Sequence, residues 1–191
     1  LPTERAAELI SQMEPDEGAE VLRDLDEGHR EDILEEMDTK VSKDLRKLVS
    51  FDETLAGGIM TTHILTATED ETVGNALKLI VEHRERDISD GIIIVDEKGK
   101  LIDHIQIVEL VSAKPSALLS TLVGPPYPTA VSIETRLPTV IEEFANNRGS
   151  SIIVVDEKEK PVGRILADDI IDAISNENEE NHGVAQGTGA L

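Results

Sequence analysis

The chain contains no cysteine and no tryptophan. Without thiols there can be no disulfide, no thiolate nucleophile and no soft-metal site built on sulfur. Aromatic residues are nearly absent too, the full set being Phe51, Phe144 and Tyr127. The core must therefore be aliphatic, and little is left to stack on a nucleobase. No apolar run approaches the roughly 18 residues of a membrane span. The N-terminal stretch is acidic and amphipathic, unlike a secretory leader. The histidines (His29, His63, His83, His104 and His182) are isolated, and none pairs with a second at zinc-ligand spacing. There is no Gly-rich phosphate loop and no Gly-x-Ser-x-Gly context, so the expectation is a protein that is not an enzyme.

Basic residues are also scarce. Eighteen Lys and Arg stand against 40 Asp and Glu, a formal charge of −22 in 191 residues. A field of that sign repels phosphate backbones and anionic lipid and attracts cations, so nucleic acid is not an expected partner. Otherwise the composition, 39% hydrophobic and 30% charged, is that of an ordinary globular protein.

Two repeats organise the chain. In residues 1–50 Met13, Leu25, Met37 and Val49 recur every twelve positions, as do Leu9, Val21, Ile33 and Leu45. Pro15 suits a first helical turn, and Asp26 and Asp38 suit N-caps. Twelve residues hold one short helix and a turn, which is stable only when stacked on its neighbours. A small wound array of helices with acidic outer faces is expected over 1–52. Leu1 falls inside a helical pattern with no Met before it, as in an excised fragment.

The second repeat has a period of sixty. Ile92-Ile93-Ile94-Val95-Asp96-Glu97-Lys98-Gly99-Lys100 matches Ile152-Ile153-Val154-Val155-Asp156-Glu157-Lys158-Glu159-Lys160 at seven of nine positions. Each match is a β-branched run ending in a charged turn, followed by a second apolar run at Leu101–Ile107 or Pro161–Leu166, which predicts a hairpin. A helical segment follows each (108–113 and 168–174). An amphipathic helix precedes each, on Val73, Ala76, Leu77, Ile80 and Val81 or on Leu137, Val140, Ile141 and Phe144. Strand-like segments at 64–67 and 130–133 come before those. The order strand, helix, strand, strand, helix thus occurs twice, joined by Gly124-Pro125-Pro126-Tyr127-Pro128, which cannot be helical.

This tandem arrangement resembles a cystathionine-β-synthase (CBS) domain pair. Helical repeats such as Ala19-Glu20-Val21-Leu22-Arg23-Asp24-Leu25, running into Ala56-Gly57-Gly58-Ile59-Met60-Thr61 and then into the pair, resemble the cytosolic region of MgtE-family magnesium transporters. The resemblance implies a mixed α+β and α/β chain: a short superhelical all-α N-terminal segment (1–52) that is the C-terminal part of an MgtE-type helical repeat domain, CBS domain 1 (53–114) and CBS domain 2 (115–176). A disordered acidic, then Gly-rich tail (177–191) completes it. It implies a homodimer at the cytoplasmic face of the bacterial inner membrane, joined to a transmembrane domain of the same full-length chain. Binding of Mg²⁺ would compact it and close the pore. Gly57-Gly58 is expected to permit a tight turn into the first unit.

Mg²⁺ takes hard oxygen ligands and keeps several waters, so only carboxylate clusters can be sought. Asp168, Asp169 and Asp172 form the densest, with Asp168 and Asp172 on one helix face, and their place resembles the acidic run opening the last CBS helix of MgtE proteins. The plainer reading is acid complementing a helix N-terminus. Asp16 and Glu20 share a face of the helical array, and the resemblance assigns them the opposite side of a magnesium-bridged interface. Glu27, Glu31 and Glu35 form a further acidic ladder, read most simply as a solvated face. For an adenine nucleotide the resemblance gives Asp169 as the ribose contact, but Leu166 stands where the family has Thr, and the first copy lacks both the Gly and the Thr. Three functions remain open: a magnesium sensor, an adenine-nucleotide-sensing CBS module, and an acidic scaffold for a basic partner.

Overall fold

The computed structural model describes residues 2–83, 90–146 and 151–184, with side chains to residue 175. Four helices open the chain: α1 (Thr3–Ile10), α2 (Pro15–Arg23), α3 (Glu27–Glu35) and α4 (Thr39–Val49). Their first residues are spaced by twelve, so the sequence period is a structural one. The Asp26 side chain accepts from His29 N–H and that of Asp38 from Lys40 N–H, satisfying backbone donors the helices cannot. Within the row Leu9, Val21, Ile33 and Leu45 the last two are buried and the first two are not. Leu9 and Val21 are 41% and 38% exposed, while Ile10, Leu22 and Leu34, one position on, are buried. Ile10 and Leu22 lie one turn after Ala7 and Ala19, whose small side chains let neighbouring helices close over that face. Of the acidic ladder, Glu31 pairs with Arg46 on α4.

After α5 (Ala56–Ile59) the two CBS-type units follow. The first is β1 (Thr66–Thr68), α6 (Val73–Glu82), β2 (Gly91–Val95), β3 (Leu101–Gln106) and α7 (Ile107–Ser112). The second is β4 (Ala130–Ser132), α8 (Leu137–Asn146), β5 (Ser151–Val155), β6 (Pro161–Leu166) and α9 (Ala167–Val184). Each sheet has three strands, the first parallel to the second and the second antiparallel to the third. The register repeats as well: Ile93 faces His104 in one sheet and Ile153 faces Arg164 in the other. In the hairpin turns Asp96 and Asp156 accept the same two backbone bonds, from Lys98 and Lys100 and from Lys158 and Lys160.

The segments leading into the units are exchanged. Leu55 bridges Arg136, and Ala56 and Gly57 donate to Thr135 O and Ile133 O, all in the second unit. Conversely Leu118 bridges Thr72, and Val73 and Gly74 donate to Ala117 O and Pro115 O, tying the linker to the first. Two cores result. The first unit packs Ile92, Ile94, Ile105, Leu110 and Leu119 among themselves. The second shares its core with the helical array, Leu22, Leu34 and Leu48 being continuous with Val140, Ile152 and Ile165.

Three expectations need correction. The Gly57-Gly58 pair lies in α5 rather than in a turn, and the glycines answer to crowding. A Cβ on Gly58 would stand 2.2 Å from Asp52 O, and one on Gly57 2.7 Å from Ile133 Cγ1. The tail expected from 177 is helical to Val184, because a helix already anchored by buried Ile170 extends at one backbone bond per residue, and no Gly or Pro intervenes before Gly183. The rest of that tail, 185–191, lies outside the described residues. The strand expected over 64–67 forms at Thr66–Thr68, where pairing with Ile93–Val95 is available.

Candidate functional site

Helix α2 carries Asp16 and Glu20 one turn apart, and the first two turns of α9 bring Asp169 and Asp172 to the same cleft. The cleft between has a volume of about 300 Å³. Four of the five carboxylates singled out in the sequence thus line one space; Asp168 is exposed and lies outside it. Glu17, Asp52 and Glu53 also line the cleft, and Arg23 is the one basic residue among its described lining. Neither Arg23 nor Asp52-Glu53 stood out in the sequence, because the former falls at a helix end and the latter in an irregular connection.

At the centre Asp16 and Asp169 lie close enough that each carboxyl acts on the other's ionisation. Burial raises both carboxyls. Asp16 is pushed to about 6, with the charges of Glu14 and Glu17 adding to the effect of burial. Asp169 is pushed to about 7 by burial and by the negative charges of Asp16 and Asp168, against the Leu166 N–H that holds its charged form. Each carboxyl so placed disfavours the charged form of the other. Asp16 Oδ1 is buried with no hydrogen-bond partner in the protein, a costly arrangement for an anionic oxygen. A hard dication fits that donor chemistry, since it takes one or two carboxylates and fills its remaining positions with water. Among the described residues no three His, Asp or Glu side chains converge as a ready-made metal cluster.

Asp169 also has a local structural task. Its Oδ2 accepts from Leu166 N–H at 2.6 Å, reaching back over the first turn of α9. The matching residue of the first unit is Glu109, which accepts from Gln106 N–H at 2.9 Å in a full capping box. The acid at this point of the repeat therefore serves the helix end in both units, and only in the second does it also face another acid.

A separate cluster lies between the two sheets. Asp90 takes hydrogen bonds from Ser151 and from Arg164, whose side chain is 3% exposed, and His104 Nε2 lies 3.7 Å away. Burial alone would raise the Asp90 carboxyl, but the neighbouring His104, the hydrogen bond from Ser151 and the charge of Arg164 outweigh it and hold the group far below the usual carboxylate range. His104 and Arg164 occupy equivalent places in the two copies, so this buried ion pair fastens one unit to the other. His63 Nδ1 lies 2.8 Å from Glu14 Oε2 at the edge of the helical array. The Gly missing from the first copy is accounted for as well. Asp103 stands there, and its Oδ2 accepts from Gly124 N–H of the linker. At Gly163, in the second copy, a Cβ would lie 2.7 Å from Thr61 O.

No helix among the described residues is long and apolar enough to cross a membrane. Residues 1–54 match the family model of the MgtE intracellular N domain, and residues 56–114 and 125–176 match that of the CBS domain. Neither model describes an enzyme family. The magnesium transporter MgtE of Thermus thermophilus is 26% identical over 95% of this chain and 46% of its own length, so the chain spans about half of that relative. Among solved structures, the soluble part of a magnesium transporter superposes with a TM-score of 0.86, covering 93% of this chain and 69% of that one, at 20% identity. The cytosolic domain of the Mg²⁺ channel MgtE in complex with ATP gives a TM-score of 0.68 at 26% identity, covering 90% of this chain and 80% of that one. The chain belongs to the MgtE family and comprises that family's intracellular N domain followed by a pair of CBS domains.

Proposed function

We propose that this chain is the Mg²⁺-sensing regulatory region of a magnesium transporter, and that the cleft between α2 and α9 is where the ion is read. The observation that carries this is the Asp16–Asp169 pair, two half-buried carboxyls brought together from different lobes, one with an oxygen lacking any partner. Asp16 and Asp169 would hold the ion, with Glu20 and Asp172 in reach of its water shell and Asp168 adding charge from the rim. When both carboxylates are ionised they repel by about 1 kcal/mol at 4 Å in water, and several-fold more where solvent is thinned. The ion supplies the charge that cancels this repulsion. The residues of α2 and α9 then stay apposed, and the population shifts to the compact form to the extent that this form binds the ion better.

In this reading two copies assemble, and the transmembrane domain of the same full-length chain, at the cytoplasmic face of the bacterial inner membrane, receives the signal. Exposed Val111 on α7 and Ile171 on α9, at equivalent places in the two units, suit an apolar contact between copies. The test is small-angle scattering in EDTA and in millimolar MgCl₂ at matched ionic strength. A smaller radius of gyration with Mg²⁺ is expected, and superimposable profiles would sink the proposal.

A second reading, adenine-nucleotide sensing, is favoured by the ATP complex of one solved relative. Asp169, the residue that would take the ribose, is engaged here with Leu166 N–H and Asp16, so a nucleotide would have to displace those contacts. Thermal stabilisation by ATP without any by MgCl₂ would favour this second reading over the first.

A further inference from the structure

The guanidinium of Arg23 closes off several unfinished pieces of backbone at once. It leaves the C-terminal end of α2, seven residues after Asp16 and three after Glu20. Its Nη2 donates to Leu48 O at 2.8 Å, in the last turn of α4, and to Gly58 O at 3.1 Å, in α5. Its Nη1 donates to Glu53 Oε1 at 3.2 Å, in the connection between those helices. Helix C-termini leave carbonyls without intrahelical donors and carry partial negative charge, so a planar cation with several donors suits this place. The side chain is only 15% exposed, and its Nε is buried without a hydrogen-bond partner. A buried charge kept at that expense has a defined job. Arg23 ties the helix bearing Asp16 and Glu20 to the end of the helical array and to the segment that crosses into the CBS pair.

We propose that Arg23 is the positioning residue that couples the cleft to the domain junction: what happens to α2 when its acids are neutralised reaches residues 52–60 through the polar tie this side chain makes. The inference deepens the Mg²⁺-sensing reading and rests on it. It predicts that ion binding and junction ordering can be separated.

Hydrogen exchange followed by mass spectrometry, in EDTA and in roughly 10 mM MgCl₂, an excess over a millimolar site, reads both regions in one experiment. In the parent chain Mg²⁺ slows exchange at 52–60 and in the first turns of α9, by about tenfold each. Arg23→Met retains the slowing at α9 and shows less than about twofold at 52–60. Arg23→Lys, which keeps the charge but cannot span three acceptors, falls between. Equal Mg²⁺-dependent slowing at 52–60 in all three overturns the proposal. If Arg23→Met does not fold, as judged by circular dichroism in EDTA, the parent and Arg23→Lys decide it, equality again being fatal. Slowing at α9 without any at 52–60 in the parent overturns the Arg23 role alone. No Mg²⁺ effect anywhere in the parent overturns the sensor reading and this coupling with it.

Discussion

The two CBS-type units share strand order, register and hairpin-turn hydrogen bonding, yet they are not equivalent in what they touch. The first keeps a core of its own, whereas the second has merged its core with the helical array. At the start of the last helix both place an acid that reaches back to a backbone N–H, Glu109 in one and Asp169 in the other. Only Asp169 meets a carboxyl from α2. The difference teaches that a helix-capping acid becomes a candidate ion ligand through its neighbour, and that the neighbour is supplied by which unit the array leans on.

The largest effect should come from the cores. Ile92 and Ile152 sit at matching places and are both fully buried. Replacing either with Ala should cost about 3 kcal/mol. Ile152→Ala should also speed hydrogen exchange in α2–α4, while Ile92→Ala should leave those helices protected. Equal spread of the damage would break the comparison. Next, Asp169→Asn, which keeps an acceptor for Leu166 N–H, should weaken Mg²⁺ binding about tenfold, some 1.4 kcal/mol, by titration calorimetry. Glu109→Gln, its counterpart, should leave the affinity unchanged.

A pH titration sharpens the same contrast. Asp16 and Asp169 are raised by burial, to about 6 and about 7, above their ordinary 3.8. A carboxyl raised on folding costs stability above its folded value, and that cost is relieved as pH falls through it. In EDTA the melting temperature should therefore rise by about 3 °C from pH 8 to pH 5.5, after discounting for solvent contact at the cleft mouth. Asp16→Asn should flatten this rise. The smallest effect concerns the hairpin turns, where Gly99 has φ +79° and Glu159 has φ +61°. Gly99→Ala forces a side chain into that conformation and should cost about 1 kcal/mol. Glu159→Ala, which already bears the strain and loses only an exposed pair with Lys100, should change stability by less than about 0.5 kcal/mol.

Much of this was legible in the sequence, for identifiable reasons. The twelve-residue and sixty-residue periods fix where helices and hairpins fall, since α-helical and strand patterns differ in period. The acids Asp16, Glu20, Asp169 and Asp172 could be picked out as clusters, but their meeting depends on the array docking on the second unit, a long-range choice with no local signature. Arg23 was hidden for the opposite reason. Its partners are the carbonyls of Leu48 and Gly58, and backbone acceptors leave no mark on residue identity. Likewise Gly57-Gly58 announced a special backbone, but only the packed neighbours Asp52 and Ile133 show that the demand is for room.

The crossed lead-in segments have a consequence for how the molecule comes apart. Because 54–61 lies on the second unit and 115–119 on the first, cutting the chain at the visible midpoint of the duplication would leave each half wearing a strip that belongs to the other. A gene fragment carrying just one half should therefore need its missing sibling, added in trans, to complete its edge.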